Sequence, residues 1–257
     1  MNDAWVRIER AKANRERLHT EITAFAATHP DAYRVAAEHD GQGNVTLVAR
    51  VSKRPPKEWG LIVGDILVDL RSALDYAVYG LAVRHTGQDP PPKARQVEFP
   101  IADTDKWFNT SGRRKITDLR SDAVAYIESV QPYQPGYGGP DSALLVLNEL
   151  VGINKHRFVS VVWAMLKETQ LGLTFLNVQL EDFMAYKVDG ELTDGTVLAT
   201  FRMVAQAQYA NLQIQPSMTV HVAFEPTSAG FGMEAYTALG AMGGAVEDVV
   251  GNLQSYL

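Results

Sequence analysis

The chain has 257 residues, 46% of them hydrophobic and 21% charged, enough apolar material for a core near the upper size of one domain and too much for long disorder. Without cysteine it can build no disulfide framework, thiolate nucleophile or cysteine zinc site. A net charge of -6 disfavours a surface coated in phosphate contacts, and no apolar leader or bilayer-length uncharged stretch appears, so the expected protein is cytoplasmic and not attached to a membrane.

Residues 4–27 read as an amphipathic helix, with Trp5, Ile8, Ala11, Leu18, Ile22 and Phe25 on one side. Two alternating segments, 33–39 and 45–51, flank Asp40-Gly41-Gln42-Gly43, which predicts a hairpin. The spacing of Leu67, Leu70, Ala73, Leu74, Ala77, Val78 and Leu81 predicts a core helix over 57–85. Residues 87–140 are rich in proline and glycine and read as irregular, with a short helix near 121–130. A second core helix is predicted over 141–167, with Gly152 and Asn154 as kink points.

From 171 to 225 the apolar period falls to two, with Asp189-Gly190 and Asp194-Gly195 as turns, predicting a meander of antiparallel strands. The last helix, 233–257, repeats Tyr236, Leu239, Gly243, Val246, Val250, Leu253 and Leu257 at spacings of three and four, a narrow packing seam. Gly240, Gly244 and Gly251 share one arc, where close backbone approach would offset their cost in a helix. The seam has two available partners, the chain's own sheet or the same helix of a second subunit. The reading as a whole is one α+β domain over 1–257, long core helices packed on a mainly antiparallel sheet.

Polar residues cluster on the core helices. A rotation of about 100° per residue places Asp65, Asp69, Ser72 and Tyr76 along one line, with Asp75 and Arg71 beside it. Covered carboxylates need cations, and Asn154-Lys155-His156-Arg157 supplies them. The simpler reading is a salt-bridge lock between the helices. The sharper one is an active site with His156 as acid or base, Asp75 or Asp69 orienting it, and Arg71, Lys155 and Arg157 stabilising negative charge. A metal variant would combine Asp65, Asp69, Glu149 and His156, but no ligand spacing such as HxxxH occurs, so neither a metal nor a cofactor is expected.

Two further segments have the composition of sites. The glycine-rich 136–142 precedes a helix but lacks the lysine of a phosphate loop, so Asp141 or Ser142 is expected only to cap that helix. Arg113-Arg114-Lys115, near Lys106, Arg120, Trp107 and Phe108, is the best patch for a single-stranded nucleic acid, a partner that the acidic chain does not favour.

Gly64-Asp65-Ile66-Leu67, Leu70-Arg71-Ser72-Ala73-Leu74-Asp75, Phe99-Pro100-Ile101, Gln131-Pro132-Tyr133 and Asn154-Lys155-His156-Arg157, over about 57–160, together resemble a family of uncharacterised bacterial and phage proteins. The resemblance implies that the two helix motifs belong together and implies no activity. A weaker analogy is to HEPN-type helical hairpins, whose RNase members carry arginine followed four to six residues later by histidine. Neither core helix has that spacing; Arg34 and His39 do, on a predicted strand that would project them to opposite faces. With no catalytic signature in the chain, the expected function is non-catalytic binding or assembly through a homo-oligomer, with the 236–257 helix as a candidate dimer surface. The alternative is a metal-independent hydrolase or nuclease built on the Asp-Arg-Lys-His-Arg cluster.

Overall fold

The computed structural model describes residues 1–138, 142–157, 159, 161–164, 172–174, 179–186, 188, 191–204, 215–217, 221–224 and 233–257. Helix α1 (Asn2–Thr28) turns Ala4, Ile8, Ala11 and Leu18 inward at helical spacing, and the chain then forms the hairpin β1 (Tyr33–His39) and β2 (Asn44–Val51). Its turn is held by the Asp40 carboxylate, which accepts the backbone N–H groups of Gln42 (2.7 Å) and Asn44 (3.1 Å), while Gly41 and Gly43 take φ of 78° and 96°.

Helix α2 (Glu58–Thr86) is the centre of the molecule. Its buried residues occupy most of its circumference, and α1, α5 (Ala143–Asn154) and α6 (Ala235–Leu253) pack against it. It stops at Gly87, whose φ of 68° is left-handed and whose N–H donates to the Val83 carbonyl. Among the short elements between α2 and α5 are α3 (Asp105–Trp107) and α4 (Ser121–Ser129).

The later strands are β3 (Val161–Ala164), β4 (Gly172–Thr174), β5 (Gln179–Ala185), β6 (Val197–Val204), β7 (Gln215–Ser217) and β8 (His221–Phe224). They confirm the α+β class: β1-β2-β6-β5 form an antiparallel sheet that the N-terminal hairpin joins, and β3 pairs with β8 and β4 with β7. The sheet buries Leu47, Ala49, Ala199 and Phe201 toward the helices. An aromatic cluster binds the two layers. Phe25 of α1, Trp59 of α2, Trp163 of β3 and Tyr33 of β1 approach with ring centroids 5.4–6.3 Å apart, and Trp163 Nε1 donates to the Lys53 carbonyl at 2.7 Å. Among the described residues no helix is long and apolar enough to cross a membrane.

Three expectations need correction. The helix predicted over 141–167 ends at Asn154, and 161–164 form a strand. Valines 159, 161 and 162 beside Trp163 favour extended backbone, and β8 offers a pairing edge that a helix would leave open. The seam of the last helix faces neither the main sheet nor solvent, because Leu239, Val246, Val250 and Leu253 are buried where α6 meets α1, α2 and α5. The glycines of that helix are not a close-packing device either. A Cβ on Gly244 or Gly251 would meet nothing within 4 Å, and one on Gly240 would meet only the Arg15 guanidinium, at 2.5 Å.

The expected turn at Asp189-Gly190 and most of the alternation at 218–225 lie outside the described residues, whereas Gly195 takes the turn conformation with φ of 85°. Arg34 and His39 both lie on β1, exposed, five positions apart and so on opposite faces of the strand.

Candidate functional site

Around α2 the motif residues meet through backbone clamps. Arg71 and Asp75, one turn apart, grip the peptide groups of Phe99: Arg71 Nη2 donates to the Phe99 carbonyl at 2.7 Å, and the Phe99 N–H donates to Asp75 Oδ1 at 2.9 Å. The same Nη2 lies 2.5 Å from Glu98 Oε1 and 3.1 Å from Asp75 Oδ1. Lys115 Nζ donates to the other Glu98 oxygen at 2.9 Å. Three residues on, the Ala102 N–H donates to the side-chain oxygen of Gln131, which is fully buried and donates in turn to the Ile127 carbonyl, both at 2.8 Å. The 98–102 strap is thereby tied at both ends, by α2 and by the end of α4.

Gly64 and Asn154 mark the place where α2 and α5 come closest. A Cβ on Gly64 would stand 2.6 Å from Asn154 Oδ1. Gly64→Ala is therefore expected to destabilise the fold by about 1 kcal/mol net: overpacking costs about 1–3 kcal/mol and the gain in helix propensity returns about 1. Urea unfolding should show Asn154→Gly relieving the loss in the double variant, and a Gly64→Ala protein as stable as the parent would mean that the contact is loose.

The electrostatics of the clamp divide its two carboxylates. Burial pushes the Asp75 carboxyl up from 3.8 to about 6, against the opposing pull of the Arg71 charge and the Phe99 N–H. Glu98 is also partly desolvated, which raises it, but the Lys115 hydrogen bond and the charges of Arg71, Lys115 and Lys155 outweigh that and hold it below the usual range. Arg71 Nη1 is buried with no partner among the described residues.

The structure distributes the sequence-predicted site residues over separate places. Asp69 is fully buried and faces α1, where it accepts Arg7 Nη1 at 2.9 Å and both Arg10 Nε and Nη2 at 2.6 Å. A salt-bridge lock therefore exists, but its cations come from α1 rather than from 155–157. Asp65 is exposed beside it and contributes to raising Arg10 after the larger effects of Asp69. Lys155, His156 and Arg157 are exposed just past the end of α5, and no hydrogen bond or ion pair joins His156 to Asp75 among the described residues. Glu149 is exposed, and no group of three or more metal-ligating side chains converges among the described residues. Ser142 occupies the N-cap of α5 without a side-chain cap hydrogen bond, and Asp141 lies outside the described residues.

The basic run is largely neutralised. Arg113 bonds Glu128 at 2.5 Å, Lys115 bonds Glu98 and lies over the Trp107 ring, and Arg120 bonds Asp122 at 2.6 Å, leaving Arg114 and Lys106 exposed. Arg7, Arg10, Glu98 and Gln131 were not among the candidates. Glu98 and Gln131 adjoin or lie within the Phe99 and Gln131 motifs, which was the available signal; for Arg7 and Arg10 the signal was their place on α1 beside its buried stripe.

One face of α2 remains uncovered. Leu61, Val68 and Tyr76 are 48%, 42% and 40% exposed, with Asp65 and Ser72 between them on the same stripe. Arg7 borders it, stacking over the Tyr76 ring at 5.4 Å and donating to its hydroxyl at 3.2 Å. Compared with known proteins, the chain matches no family model, no curated protein and no solved structure.

Proposed function

We propose that this is a non-catalytic assembly protein that self-associates through the exposed stripe of α2. The observation that carries the reading is three large apolar side chains, Leu61, Val68 and Tyr76, in water on a helix otherwise surrounded by protein. Their order is self-complementary. Positions 61 and 76, and 65 and 72, are equidistant from a midpoint between 68 and 69. In an antiparallel pair about a two-fold axis, Leu61 meets Tyr76 of the second copy, the Asp65 carboxylate meets the Ser72 hydroxyl, and Val68 packs near its own image. The cluster beneath the stripe is structural in this reading, because its charges are taken up by backbone clamps and ion pairs.

Light scattering across a concentration series is expected to show a dimer. Val68→Asp places a carboxylate at the centre of the interface and should weaken dimerisation by about 2 kcal/mol, roughly 30-fold in Kd, with unchanged circular dichroism because Val68 faces water in the monomer. A parent protein that stays monomeric at its highest soluble concentration would remove the proposal.

A second reading, a metal-independent hydrolase or nuclease, has one observation in its favour. Asp75 and Glu98 share Arg71 Nη2, one carboxyl pushed up to about 6 and the other held low, a division that suits a general acid beside a carboxylate. In that reading the parent protein turns over a phosphodiester or ester substrate and Asp75→Asn abolishes it without unfolding the protein. Failure of the parent on both substrate classes rejects it.

A further inference from the structure

We infer that a second site, the cavity at the start of α2, binds an organic anion that carries an anionic head on an apolar body. The cavity measures about 450 Å³, within the range of small-molecule pockets, and its walls have two chemistries. Arg54, Lys57 and Arg157 line it with cationic groups, against a single carboxylate, that of Glu191. That carboxylate is 3.6 Å from Arg54, so the lining keeps two positive charges beyond its one internal pair, in a chain whose net charge is -6. Lys57 makes no side-chain hydrogen bond or ion pair among the described residues. It also occupies the N-cap of the 29-residue α2 without a side-chain cap bond, so the positive end of that helix adds to the local potential.

The remaining wall is apolar. Val159, Val161 and Val162 line it and are buried, so they give a ligand's hydrocarbon a dry surface directly below the cations. A bare inorganic ion would use only the rim, and a neutral hydrocarbon only the wall. A molecule that joins the two, such as an alkyl phosphate or a fatty carboxylate, uses both. The shared chemistry is the amphiphilic anion, and the comparison of heads separates the two sources.

Calorimetric titration of the full chain tests this with hexyl phosphate, hexanoate, inorganic phosphate and hexanol. The expected result is that hexyl phosphate or hexanoate binds at least about tenfold tighter than inorganic phosphate and than hexanol. Lys57→Glu and Arg157→Glu should each weaken that binding by about tenfold or more, and both residues are exposed, so thermal unfolding should be little changed. Lys57→Gln repeats the test without a new negative charge, with a smaller loss in the same direction. Equal affinities for hexyl phosphate and inorganic phosphate, no measurable binding by the parent protein, or parental affinity in both glutamate variants would each overturn the assignment.

Discussion

Replacing Arg71 by methionine is expected to cost the fold about 3–5 kcal/mol, the range for breaking a buried ion pair from one side. The methionine fills most of the volume of the arginine stem but supplies no donor. The Phe99 carbonyl then loses its partner in the interior, a loss of about 1–3 kcal/mol by itself. Asp75 and Glu98 lose the cation between them, and Lys115 reaches only Glu98. One feature moderates the loss: Arg71 Nη1 has no partner in the folded chain, so removing it also relieves a buried unsatisfied donor. The total should therefore fall toward the lower end of the range. Urea unfolding checks it as a fall in midpoint at an unchanged slope. Arg71→Lys keeps the charge but cannot serve the Phe99 carbonyl and both carboxylates from one planar group, so it should fall between methionine and the parent. A loss below about 1 kcal/mol for Arg71→Met would show that the strap is held by its apolar residues and not by the clamp.

The clamp also explains which parts of this molecule could be read from the chain alone. Helical periodicity located α1, α2 and α6 within a few residues, because each buries a regular stripe, and alternation around Asp40-Gly41-Gln42-Gly43 located the first hairpin. The same rule failed over 155–167, where a short run of buried valines has no period that separates a covered strand from a covered helix. The polar residues of α2 were legible as a group, since charges on a core helix must be answered. Their partners were not. Asp69 and Asp75 lie on different sides of the helix, so Asp69 found Arg7 and Arg10 and Asp75 found a peptide N–H, a partner that no side-chain inventory contains. Gln131 was legible only as part of a motif, because its role is to accept one backbone N–H at Ala102.

Asp75 and Glu98 are expected to shape the pH dependence of stability in opposite directions. Asp75 has its folded value, about 6, above the ordinary 3.8, so the fold favours its neutral form. The stability it contributes is complete below about pH 4 and is lost as the pH rises through 6. A shift of this size corresponds to at most about 3 kcal/mol at 1.36 kcal/mol per unit, and the 31% exposure of the side chain reduces it further, to about 1–2 kcal/mol. Asn imitates the neutral form and its amide oxygen can still accept the Phe99 N–H. Asp75→Asn should thus exceed the parent by about that amount at pH 8, with the two converging below about pH 4. Glu98 is held below its ordinary value, so its contribution is present above the carboxylate range and lost as the pH falls through it. Glu98→Gln should accordingly weaken the protein at pH 7 and converge with it in acid. Denaturant midpoints measured from pH 3 to pH 9 separate the two, since one substitution flattens the alkaline limb and the other the acid limb. An Asp75→Asn protein less stable than the parent at pH 8 would mean that the charged carboxylate is the form the clamp requires, and that Arg71 outweighs the burial of its neighbour.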